Sequence, residues 1–136
     1  MNSTIEEAIG LIRPGSNLFI QSAAAAPQRL IKGLISRARE LSDITIYQMH
    51  TEGEAPYAMP EFEGIFKVNC FFIGANLRRA VQEHRADYIP VFLSEIPALF
   101  RKKIILIDYA LIHVSPPDAH GYCSLGVSVD IAPAVL

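Results

Sequence analysis

Residues 17–49, NLFIQSAAAAPQRLIKGLISRARELSDITIYQM, decide the fold class. The run NLFIQ (17–21) is nearly all apolar and short, which predicts a strand buried on both faces. Four alanines and Pro27 follow, and Pro27 suits the first turn of a helix. Leu30, Ile31, Leu34, Ile35, Ala38 and Leu41 then recur at helical spacing, with Arg29, Lys32, Arg37 and Arg39 on the other side. Ser42 and Asp43 end that helix, and ITIYQM (44–49) reads as a second strand. Strand, small-residue turn, helix and strand make a βαβ unit, which implies a right-handed crossover in a parallel sheet.

The pattern continues outward. Upstream, Ser3 and Thr4 precede Glu6 and Glu7 at capping-box spacing, predicting a short helix over 4–12 that Pro14 and Gly15 stop. Downstream, 68–73 reads as a strand, and Gly74, Ala75 and Asn76 turn it into a helix holding Leu77, Ala80 and Val81. Residues 88–92 read as a short strand whose Pro90 suggests an edge or a strand end. Ser94 is placed to cap a brief helix that accommodates Pro97 in its first turn. The last strand falls within 104–114, centred on 109–113. The fold class expected is therefore α/β, an open and mostly parallel sheet with flanking helices.

Two segments break the alternation. Residues 50–64 form a long connection with Glu52, Glu54, Glu61 and Glu63, read as a solvated acidic surface loop of a length often functional or mobile. Residues 115–130, SPPDAHGYCSLGVSVD, carry too many turn formers to extend a strand. The chain ends on the apolar IAPAVL, which reads as the front part of a longer protein and favours association between copies.

Composition narrows the chemistry. The chain has 136 residues, enough for one domain, with 51% hydrophobic and 19% charged residues, which excludes a disordered chain. Twelve Lys and Arg against fourteen Asp and Glu leave a net charge of −2, which argues against nucleic-acid binding. Two cysteines, Cys70 and Cys123, are too few for a disulfide framework. The N-terminus is acidic where a signal peptide is basic, and nothing approaches the roughly 18 uninterrupted apolar residues of a membrane span, so a cytoplasmic protein is expected.

In an open parallel sheet, ligands bind beyond the carboxyl ends of the strands. Four segments are expected to converge there: 21–27, 74–78, 92–97 and 115–126. The small residues of the first let a ligand approach backbone N–H groups at a helix N-terminus, which suits a carboxylate, phosphate or developing oxyanion. It carries neither a dinucleotide fingerprint nor a phosphate-binding Gly-Lys-Ser/Thr loop. Asn76 reads first as a helix N-cap, and Arg78 could clamp a carboxylate. Asp118, His120 and Cys123 fall short of a metal ligand set, so no metal is expected. Cys123 and His120 lack an orienting third group, and no serine sits in a nucleophile elbow.

Four stretches together resemble the amino-terminal domain of the acetyl-CoA hydrolase/transferase family, which includes 4-hydroxybutyrate CoA-transferases: GSNLFIQSAAAAPQRLIKGL, FFIGANLRRAV, RADYIPVFLSEIPALF and, most specifically, DYALIHVSPPDAHGYCSLGVSVD. The resemblance implies a CoA-transferase-type domain over 1–136, paired in longer relatives with a second, similar domain. It implies ping-pong transfer of CoA between an acyl-CoA and a short-chain carboxylic acid through a glutamyl-CoA thioester, with CoA as substrate and no cofactor. The nucleophilic glutamate is expected beyond Leu136, so no catalytic residue is assigned here and the chain alone is expected to be inactive. The resemblance assigns one wall of the substrate cleft to Gln21, Ser22, Ala23, Ala24, Gly74, Asn76, Arg78, Ser115, Asp118, His120 and Gly121. Relatives often carry glycine at Ser22, threonine at Ala26 and glycine at His84. Acyl-CoA hydrolysis and non-catalytic ligand binding stay open as alternatives.

Overall fold

A computed structural model describes residues 4–136. Helix α1 (Ile5–Gly10) begins with a reciprocal cap, in which Thr4 Oγ1 accepts from the Glu7 N–H and Glu7 Oε2 accepts from the Thr4 N–H. Ser3, the other candidate cap, lies outside the described residues.

Strands β1 (Asn17–Ile20) and β2 (Ile44–Gln48) flank helix α2 (Gln28–Ser36) as the βαβ reading requires. The α-helix is shorter than its apolar periodicity. It gives way to a 3-10 turn, Ala38–Glu40, that still delivers Ala38 and Leu41 to the core. Strand β3 (Phe66–Cys70), helix α3 (Arg78–Gln82), strand β4 (Ala86–Tyr88), helix α4 (Ile96–Arg101), strand β5 (Tyr109–Leu111) and helix α5 (Ala132–Val135) complete the order. The sheet runs β4-β3-β2-β1-β5 with every neighbouring pair parallel.

Handedness places the helices. From β1 the chain steps to β2, β3 and β4 in one direction, so right-handed crossovers put their connections on one face. It then returns past β1 to β5, and the reversed step carries α4 to the opposite face. The core divides accordingly. Leu18, Ile20, Ile44, Ile46, Val68 and Cys70 pack on the first face with Ile9, Ile31, Leu34 and Leu77, while Phe19, Met49 and Phe71 pack on the second with Ile96, Phe100 and Ile131. Two-sided burial explains why the strands read as unbroken apolar runs.

Several boundaries differ from the sequence reading, because strands exist only where a neighbour is in register. β3 lies two residues earlier than expected, pairing Ile44 with Phe66 and Gln48 with Cys70, while Phe72 and Ile73 fall in the exposed turn. β4 precedes Pro90 and is the edge strand, pairing only from Ala86 to Tyr88. β5 is three residues long, because its partner β1 ends at Ile20. Ser94 caps nothing: it sits inside a 3-10 turn, Leu93–Glu95, that runs directly into α4.

The connection over 50–64 is only partly the solvated loop expected. Its glutamates are exposed, but two 3-10 turns, Pro56–Ala58 and Pro60–Phe62, send Ala55, Tyr57 and Ala58 into the first core. Crossover geometry demands this, since a parallel β2–β3 connection must cover the face that α2 and α3 leave open.

Helix α3 ends in a Schellman motif. The Arg85 N–H donates to Ala80 O and the His84 N–H to Val81 O, with His84 at φ 60°. A left-handed conformation costs a side chain bearing Cβ but not glycine. His84→Gly is therefore expected to stabilise the chain by about 1 kcal/mol, read as a higher urea midpoint with unchanged slope. A lower midpoint would show that the imidazole contributes more than the strain removes.

Candidate functional site

The strand order reverses at β1, between β2 and β5, and open α/β sheets bind ligands in the crevice beyond such a reversal. A cleft of about 510 Å³ opens there, lined by Ala24, Ala26, Pro27, Leu30, Ile112 and His113. Its volume suits a small organic ligand. Its floor is a tight turn after β1: the Ala25 N–H donates to Ser22 O, the Ala26 N–H to Ala23 O, and Ala23 takes φ 49°. Ser22 is fully buried, and its hydroxyl has no hydrogen-bond partner among the described residues. Small side chains keep the main chain of this turn close to the cleft.

Gln21, 0% exposed, organises the neighbouring segment. Its Oε1 accepts from the His113 N–H at 2.6 Å, and its Nε2 donates to Leu125 O at 3.2 Å and Ser128 O at 3.1 Å. The side chain assigned to substrate is thus committed to the main chain of the segment after β5. It brings that segment to the end of β1, as the sequence reading expects of 115–126. Within it the Ser115 N–H donates to Ser124 O and Ser115 Oγ accepts from the Ser124 N–H. Asp118 Oδ1 accepts from the N–H groups of His120 and Tyr122, and Gly121 turns at φ 86°. Asp118 and Gly121 therefore shape the turn that carries exposed His120.

A ridge formed by residues 50–53 borders the cleft on the β2 side. Ala23 bridges it, donating its N–H to His50 O and accepting at its carbonyl from the Glu52 N–H, while Gln28 Nε2 donates to Glu52 O. From the far side, Asn76 Nδ2 donates to Thr51 O at 3.0 Å, Thr51 Oγ1 at 3.0 Å and Gly53 O at 3.1 Å. Asn76 is thus no N-cap: Leu77 holds that position, α3 begins at Arg78 without a side-chain cap, and the Asn76 amide reaches across to the ridge instead. Gly74 is needed beneath it, because a Cβ there would stand 2.9 Å from Asn76 Oδ1. Beyond the ridge lies a second cleft of about 520 Å³, lined by Gly53, Ala55, Met59, Asn76, Arg79 and Arg85.

The structure therefore brings 21–24, 74–76 and the segment after β5 around one ridge and crevice. Arg78 is exposed on the first turn of α3. Residues 92–97 follow the edge strand β4, where Phe92 and Glu95 line a separate hollow with Tyr88, Pro90 and Val91 and Ile96 turns into the second core beside Phe19, so the segment lines neither cleft. Among the described residues no three His, Cys, Asp or Glu side chains gather to hold a metal ion, and no helix is long and apolar enough to cross a membrane.

Sequence reasoning missed His113 and the polar set beneath the ridge. Gln48 shares the inward face with Ile44 and Ile46, and Tyr57 donates its hydroxyl hydrogen to Gln48 Oε1 at 2.5 Å. The signal was a glutamine at a core position of β2. Burial pushes the Tyr57 hydroxyl up to about 12 from the ordinary 10. A phenol with a raised folded value stabilises fully below the unfolded value and loses that contribution as pH rises. Alkaline unfolding is thus expected to steepen between pH 10 and 12, and Tyr57→Phe to flatten that pH dependence in circular dichroism. Identical alkaline profiles for the two proteins would contradict it.

Comparison with known proteins places this geometry. The family model for the acetyl-CoA hydrolase/transferase N-terminal domain matches residues 2–136. A succinyl-CoA:acetate/propanoyl-CoA:succinate CoA transferase of Fasciola hepatica is 49% identical over 133 residues, covering 96% of this chain and 27% of that protein. A 4-hydroxybutyrate coenzyme A transferase of Clostridium kluyveri is 37% identical over 127 residues, covering 93% and 30%. The crystal structure of RipA from Yersinia pestis superposes with a TM-score of 0.82 at 31% identity, over 98% of this chain and 33% of that one. The chain thus spans about three-tenths of the length of the curated relatives it matches. With the parallel sheet and the match along nearly its whole length, the chain belongs to the acetyl-CoA hydrolase/transferase family and corresponds to its N-terminal domain.

Proposed function

We propose that this chain supplies the amino-terminal wall of a CoA-transferring active site, with an acyl-CoA and a short-chain carboxylate as substrates. The observation that carries the reading is the family match over residues 2–136, whose relatives are named as CoA transferases. The crevice at the β1/β5 reversal supports it physically. The turn over 22–25 lies against the N-terminus of α2, where partial positive charge suits a carboxylate or a thioester oxyanion. On this reading Ala24 presents its main chain to the acyl group, while Ser22 and Ala23 hold the turn through their own main-chain hydrogen bonds. Gly74, Asn76 and Arg78 shape the neighbouring turn, and Ser115, Asp118, His120 and Gly121 form the arm that Gln21 holds in place.

A carboxylate is a poor nucleophile, so attack on the thioester requires desolvation and oxyanion donors around it. In this scheme the attacking glutamate is contributed by a second domain, and coenzyme A is a substrate with no further cofactor. Exposed apolar side chains such as Phe92, at 77%, and Val127, at 86%, are surface that a companion domain would cover.

The test joins residues 1–136 to the portion of the Clostridium kluyveri relative that they do not span. The fusion is expected to move CoA from acetyl-CoA to a short-chain acid and to trap a glutamyl-CoA adduct, whereas residues 1–136 alone should do neither. Turnover by the unfused chain would place the nucleophile within it. A fusion that releases free CoA in water without needing an acid acceptor would favour hydrolysis.

A further inference from the structure

We infer that Tyr57 and Thr51 are positioning residues, a buried hydroxyl pair that fixes the 50–53 ridge and thereby the Ala23 turn and the Asn76 amide. The inference rests on the proposed function only for what the clasp serves.

The geometry closes a ring. Tyr57 donates to Gln48 Oε1 at 2.5 Å, Gln48 Nε2 donates to Thr51 Oγ1 at 3.4 Å, and Thr51 Oγ1 lies 3.4 Å from the Tyr57 hydroxyl. The Thr51 hydrogen completes the ring by pointing to Tyr57, because Tyr57 spends its own on Gln48. Each group then donates once and accepts once within the ring, and such closed chains polarise one another in a low dielectric. Thr51 Oγ1 keeps an acceptor site for Asn76 Nδ2, and its main chain carries the bridge to Ala23.

Burial makes the ring costly to break, since Gln48, Thr51 and Tyr57 are all buried and water cannot easily replace a lost partner. Tyr57 lies six residues beyond Thr51 and reaches the ridge from beneath the sheet's first face. Its hydroxyl thus joins the crossover over 50–64 to the end of β2, where two loops of the site meet.

Amide hydrogen exchange on the 136-residue chain tests this, comparing Tyr57→Phe, Thr51→Val and Thr51→Ser. The first two remove one hydroxyl each, and Thr51→Ser keeps the hydroxyl while losing only the methyl. Exchange of the Ala23 and Glu52 N–H groups is expected to quicken about tenfold in Tyr57→Phe and Thr51→Val, to stay near wild type in Thr51→Ser, and to be unchanged at Ile46 and Val68. Uniform quickening across the sheet would reduce both hydroxyls to general stability. No change at Ala23 and Glu52 would overturn the inference, as would failure of Thr51→Ser to keep exchange slow. The readout needs no substrate, so it stands whether or not the chain belongs to a CoA-transferring site. A separate titration with sodium acetate, followed at the Ala24 and Asn76 N–H groups, bears on that site alone.

Discussion

Replacing Gln21 with leucine is expected to cost about 3 kcal/mol and to release the segment after β5 while leaving the sheet intact. The side chain is of similar size and fully buried, so the loss comes from hydrogen bonding rather than from a cavity. Three main-chain groups lose their partner together: the His113 N–H, Leu125 O and Ser128 O. They lie up to 107 residues from Gln21 in sequence, so no local turn replaces the contact. Gln21→Glu is expected to be at least as harmful. A carboxylate would still accept from His113 but would face two carbonyl oxygens, with a buried charge to desolvate. Limited proteolysis checks both variants: cleavage should concentrate within 113–124, exposed residues already, while a fragment holding β1 to β4 persists. Unchanged protease resistance, with a urea midpoint close to wild type, would show that other contacts hold the segment.

Gly74→Ala is expected to destabilise by about 2 kcal/mol, although the residue has no left-handed backbone to explain its identity. The cost is steric. A methyl there would meet Asn76 Oδ1 at 2.9 Å, and the amide cannot swing aside without surrendering its bonds to Thr51 O, Thr51 Oγ1 and Gly53 O. A double-mutant cycle with Asn76→Ala isolates this cause. Once the amide is gone the methyl has room, so Gly74→Ala should cost much less in that background, giving a strongly non-additive cycle by urea unfolding. Additive costs would place the cost on the turn itself, since His50 Cβ at 3.6 Å is an ordinary contact.

The two substitutions probe different sides of the 50–53 ridge, and sequence reasoning foresaw each side unequally. Residues 21–24, 74–76 and the segment after β5 were legible as neighbours because strand ends in a parallel sheet share one edge, but the same rule also gathered 92–97, which lines neither cleft. The specific work of Gln21 and Asn76 was not. Glutamine at the end of an apolar strand and asparagine before a helix both have common local explanations, a ligand group and an N-cap. Their actual partners come from distant main chain. Thr51 and Tyr57 were hidden because an acidic, proline-containing stretch reads as surface, and only the obligation to cover one sheet face drives Tyr57 inward.

What the sequence determined by itself was the class of fold, through two periods: the short apolar runs of buried strands and the helical recurrence from Leu30 to Leu41, joined by turns of small residues. These are local consequences of backbone geometry and burial, so they survive reading one residue at a time. Tertiary structure alone decided where strands end, which segments miss the crevice, and which polar side chains are spent as internal ties. Register with a neighbouring strand, position in the order β4-β3-β2-β1-β5, and hydrogen bonds spanning up to 107 residues are properties of the assembled sheet. Spacing along the chain carries no trace of them, because the partners that fix them are brought together only by folding.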